Sequence, residues 1–122
     1  MMDAQRKKEL MQAYKVVPTY YGVIQITNRQ NGKIFIDTVP NIKNRWFFYQ
    51  TNLKKNFYRN TPLQRDWNEL GADQFSFQIL WKKENDDVMN MHDELKQLKR
   101  EWLLKLQPFG ERGYNKRPLE RN

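Results

Sequence analysis

The stretch Gly22–Arg45, GVIQITNRQNGKIFIDTVPNIKNR, decides the fold. Two alternating apolar segments, Val23 to Thr27 and Lys33 to Thr38, flank Asn31-Gly32. Period-two alternation is the pattern of a half-buried strand, and Asn-Gly is the dipeptide that most favours a tight hairpin, because both residues tolerate positive φ. The spacing therefore predicts strands over about Tyr20 to Asn28 and Lys33 to Thr38. Pro40 then precedes Ile42 to Leu53, a helix candidate bearing Arg45, Trp46 and Tyr49.

Upstream, Gln5 to Lys15 is a short basic helix candidate with Leu10, Met11 and Tyr14 on one face, stopped by Pro18. Downstream, Lys54 to Asn60 is polar, with Phe57 and Tyr58 set among Lys54, Lys55 and Arg59, and reads as a surface loop. Thr61 is a suitable N-cap, Pro62 fits the first helical position and Gly71 a stop, with Leu63, Trp67 and Leu70 along one face between them. Gln74 to Trp81 reads as a third strand, and the charged run Lys82 to Asp87 as a loop. The last helix is expected from about Asp87 to Leu106, where Val88, Met91, Leu95, Leu98, Trp102 and Leu106 recur at spacings of three and four. The result is an α+β domain over residues 18–115, a small three-stranded antiparallel sheet flanked by helices. A basic helical extension (1–17) precedes it and a basic tail (116–122) follows.

The bulk properties fit one domain of 122 residues, with 7 Phe, 6 Tyr and 4 Trp available for a core. Cysteine is absent and histidine occurs once, at His92, which excludes disulfides, thiolate metal sites and a zinc cluster. No run approaches the length of a membrane span and no signal-peptide pattern is present, so the simplest location is the cytoplasm. The net charge of +8 favours polyanions, above all nucleic acid.

The order of pieces resembles the GIY-YIG nuclease family, in which a strand carrying G-I-Y, a hairpin, a strand carrying Y-I-G and a helix carrying an arginine follow one another. Further similarity to small bacterial single-domain members lies in Ile26-Thr27-Asn28, Leu63-Gln64, Asp66-Trp67-Asn68, Phe75-Ser76-Phe77, Glu101-Trp102-Leu103, Leu106-Gln107-Pro108 and Gly113-Tyr114-Asn115. The resemblance implies phosphodiester hydrolysis with one divalent metal, Mg or Mn, held by a single glutamate. It also implies a first tyrosine that helps deprotonate water, and a second tyrosine and an arginine on the scissile phosphate. Matched to the family, Glu101 takes the metal position, Arg45 the arginine position and Asn115 that of a supporting asparagine. Tyr49, one helical turn from Arg45, shares its face. Arg45, Tyr49, Lys54, Lys55, Arg59 and Asn115 are the expected nucleic-acid contacts.

The motifs depart from the family where its chemistry lies. The first reads Gly22-Val23-Ile24, and Ile24 has no hydroxyl to hydrogen-bond a water or pass a proton. The second reads Phe35-Ile36-Asp37: Phe35 keeps a ring without its phenol, and Asp37 puts a carboxylate in place of the glycine. That negative charge repels a phosphate unless a metal intervenes, so Asp37 is also a candidate second metal ligand. Three readings follow: a nucleic-acid-binding module, most simply for DNA, with lost or weakened cleavage; an active metal-dependent DNA endonuclease with an altered site; and a protein-interaction domain whose basicity is incidental. Glu101 as an ordinary surface residue, Arg45 as a surface cation and Tyr49 as a packed aromatic are the plain alternatives for the site.

Overall fold

The computed structural model describes residues 17–118. The helix expected over Gln5–Lys15, and the last four residues of the basic tail, lie outside them. Within them the order is β1 (Tyr20–Asn28), β2 (Ile34–Val39), α1 (Arg45–Lys54), α2 (Pro62–Leu70), β3 (Phe75–Glu84) and α3 (Met91–Leu106), with 3-10 turns at Ala72–Gln74 and Gly110–Arg112. The strands form one antiparallel sheet in the order β2-β1-β3.

β1 is the central strand, covered on both faces. Ile24 and Ile26 point to one side, where they meet Tyr49 and Leu53 of α1 and Leu63 and Trp67 of α2. Tyr21 and Val23 point to the other and pack with Ile36 of β2, Leu98 and Leu103 of α3, and Phe109. All four β1 side chains are at most 1% exposed, and burying each aliphatic one is worth roughly 1.5–3 kcal/mol. Gly22 has a separate reason: a Cβ there would collide with the carbonyl oxygen of Trp81 on β3. The apolar stripe of α3 faces the second core as its spacing predicts, with Val88, Met91, Leu95, Trp102 and Leu106 at its border.

Several boundaries differ from the sequence expectation, among them the start of α1, which lies at Arg45 and not at Ile42. β2 begins at Ile34, one residue later than expected, and its turn is not the one in which both Asn31 and Gly32 take positive φ: Asn28 N–H donates to Lys33 O at 2.9 Å, Gly32 N–H donates to Asn28 O at 2.8 Å, and Gly32 takes φ 79° while Asn31 does not turn left-handed. β3 runs on through Lys82–Glu84, which pair with Gly22, Tyr21 and Tyr20. These charged residues sit on an outer strand open to solvent, so backbone pairing overrides a composition that reads as loop. α3 begins at Met91, not Asp87, because the Asn90 side chain accepts from Asp93 N–H at 3.1 Å and caps the helix there. By contrast, Thr61, Pro62 and Gly71 bound α2 as expected, with the Thr61 hydroxyl accepting from Gln64 N–H.

After α3 the chain returns along β2. Gly113 bridges Ile34 in parallel fashion, and Tyr114 N–H donates to Ile34 O at 2.9 Å. Gly113 is pressed so closely between the backbones of Pro108 and Ile34 that a Cβ would clash with both.

Candidate nucleic-acid interface

The register of β1 and β2 sets Ile24 opposite Asp37 and Ile26 opposite Phe35. Alternation turns Ile24, Phe35 and Asp37 to the same face of the sheet, the one that α1 covers. Ile24 is fully buried. Phe35 and Asp37 line a cleft of about 550 Å³ with Arg45, Phe48 and Tyr49 of α1. Thus four of the six residues matched to the family's motif positions (Phe35, Asp37, Arg45 and Asn115) line one cleft, while Ile24 is buried in the adjoining core cluster with Tyr49.

Arg45 is the first residue of α1. Its guanidinium lies 4.1 Å over the Phe48 ring and 5.4 Å from the Tyr49 ring centroid. Its Nε is buried without a hydrogen-bond partner among the described residues. The Tyr49 phenol donates a hydrogen bond to Asp37 Oδ2. Burial first, and the Asp37 charge second, push the Tyr49 phenol far above its ordinary range, and nearby Arg45 offsets this only in part. Tyr49 is therefore a neutral donor, unsuited to taking a proton from water. Asp37 Oδ1 accepts from Thr38 N–H at 2.9 Å and lies 3.7 Å from Lys99 Nζ.

Lys99 is the residue that sequence reasoning missed. It projects from α3 to the cleft together with Leu103, one turn on. Glu101 does not reach it. Two residues beyond Lys99, it is rotated about 200° around the helix; it is exposed and lines a separate depression with Lys96, Gln97 and Arg100. Glu101 belongs to the triplet Glu101-Trp102-Leu103 that resembles the family, whereas the residues of α3 that line the cleft are Lys99 and Leu103, four apart on one helix face. The helix-borne group at the cleft is an ammonium, not a carboxylate.

The C-terminal segment closes the cleft from the β2 side. Asn115 exchanges two hydrogen bonds with the Ile36 backbone, accepting from N–H at 2.9 Å and donating to O at 2.8 Å. Its amide is thus committed to holding the chain on β2. The Tyr114 phenol donates to Asp66 Oδ2 at 2.6 Å and accepts from Asn28 Nδ2 at 2.9 Å, tying β1, α2 and this segment together. Burial and the Asp66 hydrogen bond raise it to about 12.

Lys54, Lys55 and Arg59 are exposed at the end of α1 and in the turn after it; they flank Phe57 and Tyr58, which line the cleft, but do not line it themselves. That turn is anchored from below by buried Gln64, whose amide donates to Leu53 O at 2.8 Å and accepts from Tyr58 N–H at 3.2 Å.

A divalent metal does not fit these donors. Among the described residues Asp37 is the only carboxylate lining the cleft, its oxygens are engaged by Tyr49, Thr38 and Lys99, and an ammonium stands beside it. Hard cations take several oxygen ligands and repel a neighbouring positive charge. Among the described residues, no group of three or more acidic or histidine side chains is placed to hold a metal ion, and no helix is long and apolar enough to cross a membrane.

No family profile matches the chain, and no curated protein matches it. Two solved structures do. The catalytic domain of intron endonuclease I-TevI, in a glutamate-to-alanine mutant form, superposes with a TM-score of 0.63 at 25% identity, covering 79% of this chain and 92% of that one. The catalytic domain of homing endonuclease I-TevI superposes with a TM-score of 0.62 at 24% identity, covering 78% of this chain and 96% of that one. I-TevI is a GIY-YIG nuclease, and the fold expected from the sequence, a GIY-YIG-like α+β domain, is the fold observed.

Proposed function

We propose that this chain is a nucleic-acid-binding module built on a GIY-YIG nuclease fold, with degenerate motifs and with metal-dependent phosphodiester cleavage lost or reduced to a trace. DNA is its ligand. The observation that carries the reading is the Tyr49–Asp37–Lys99 cluster beside Arg45. It keeps the phosphate-binding cation while replacing the metal and the proton-handling phenols with a neutral phenol and an ion pair. Ile24, a fully buried alkyl group, adds no proton acceptor.

Arg45 suits a phosphate. An arginine's planar guanidinium pairs with phosphate oxygens through parallel N–H groups, and Arg45 lines the cleft. α1 starts at Arg45 with no side-chain cap and no acidic residue in its first turn, so its free N–H groups add partial positive charge at the same place. Lys99 compensates the Asp37 carboxylate, removing the repulsion that a bare anion would exert on the backbone of a strand.

Two measurements test this together. Supercoiled plasmid incubated with Mg²⁺ or Mn²⁺ should show no nicking above that of an Arg45→Ala control, while labelled DNA should bind with an affinity that Arg45→Ala lowers. Metal-dependent nicking abolished by Glu101→Ala would establish the active-endonuclease reading instead. Absence of binding to any nucleic acid at low salt would establish the protein-interaction reading.

A further inference from the structure

Two rings of the cleft stand largely outside the folded core, although Arg45 rests on one face of Phe48. Phe57 is 70% exposed and Phe48 43% exposed, and both line the cleft that holds Arg45 and Lys99. Phe47, 71% exposed, continues the surface into a neighbouring depression, which shares Arg45 and Phe48 with the cleft and adds Lys43. Large exposed rings interleaved with cations need an explanation, because an apolar ring in water is an unfavourable surface unless something covers it.

We propose that the cover is an unpaired DNA strand, with bases stacked on Phe48 and Phe57 and its backbone at Arg45; this rests on the nucleic-acid reading above and names the ligand form. The physical case has three parts. A single strand offers planar base faces that stack on aromatic rings, alternating with phosphates for the cations, which is the chemistry this surface presents. A duplex keeps its bases stacked inside and shows the exposed rings only sugar and phosphate, which do not cover them. Deoxyribose is favoured over ribose because a 2′-hydroxyl seeks hydrogen-bond partners, and the acceptors in the cleft are engaged: Asp37 by Tyr49, Thr38 and Lys99, and the Asn115 carbonyl by Ile36 N–H.

The test is fluorescence anisotropy of the full chain with a labelled oligo-thymidine, the same sequence annealed as a duplex, and an oligo-uridine of equal length, at one low salt concentration. The expected order is oligo-thymidine tightest, with the duplex and oligo-uridine each at least about tenfold weaker. Phe48→Ala and Phe57→Ala should each weaken oligo-thymidine binding by roughly 5- to 150-fold, the range for loss of one stacked base, and Phe57→Ala, whose ring does not carry Arg45, should leave duplex binding within about twofold. Circular dichroism of both variants should match the parent, since both rings are exposed. Equal or tighter duplex binding, or full affinity in both Phe variants, would overturn the single-strand proposal and leave the module reading standing. Oligo-uridine bound as tightly as oligo-thymidine would overturn the assignment to DNA. Loss of all three would overturn the broader reading as well.

Discussion

Asp37 does the most at the smallest scale. It draws Tyr49, Thr38 and Lys99 to itself. Asp37→Ala should destabilise the fold by about 1–3 kcal/mol, because it leaves the buried Tyr49 phenol without its acceptor, as urea denaturation would measure. The same substitution should bring the Tyr49 phenol down toward its ordinary range, read as earlier ionisation in absorbance near 295 nm. Tyr49 and Tyr114 also set an alkaline limit. Both phenols are raised in the folded state, Tyr114 to about 12, against about 10 in an unfolded chain. The folded state therefore holds these protons longer. Their contribution is fully present below about pH 10 and is lost as pH rises, for Tyr114 through the interval up to about 12. Denaturation midpoints should fall across that interval, and Tyr114→Phe should fall less steeply. Gly22 was legible in the sequence as a motif glycine; the reason it must be one, the Trp81 carbonyl at its Cα, depends on strand pairing that no local pattern reveals.

Among the elements, α3 separates what a sequence can say from what it cannot. Its apolar stripe, Met91 to Leu106, fixes which side packs, and that reading holds. Which polar residue beside the stripe enters the cleft depends on how the helix sits against β2, which hydrophobic spacing leaves open; Lys99 enters it, and Glu101, about 200° around the helix, does not. Lys99→Glu tests the consequence. It sets two carboxylates side by side, so melting temperature in chelator should drop, and Mn²⁺ should restore it by binding between them. The parent chain should show no such Mn²⁺-dependent shift in thermal denaturation. α2 was readable to the residue because its signals, Thr61, Pro62 and Gly71, are local chemistry. The turn after β1 was readable in place, between Asn28 and Lys33, but not in conformation, since Gly32 alone of the Asn31-Gly32 pair takes positive φ.

At the level of the whole molecule, a charge of +8 is spread along the chain, while the geometry gathers Arg45, Lys99 and Lys116 at one cleft. If about three phosphates are neutralised there, log affinity for a single strand should fall with log salt at a slope of about −2; a slope near zero in a salt titration would mean that these cations touch no backbone. The sheet itself has two outer strands, and they are shielded differently. β3 carries Lys82, Lys83 and Glu84. β2 instead is covered by the returning segment at Gly113–Asn115, bonded to Ile34 and Ile36. A chain ending at Pro108 would bare that row of backbone donors and acceptors to any neighbour of the same kind, and such rows recruit one another. Light scattering should therefore rise with time and concentration for the shortened protein, while the intact chain should stay dispersed.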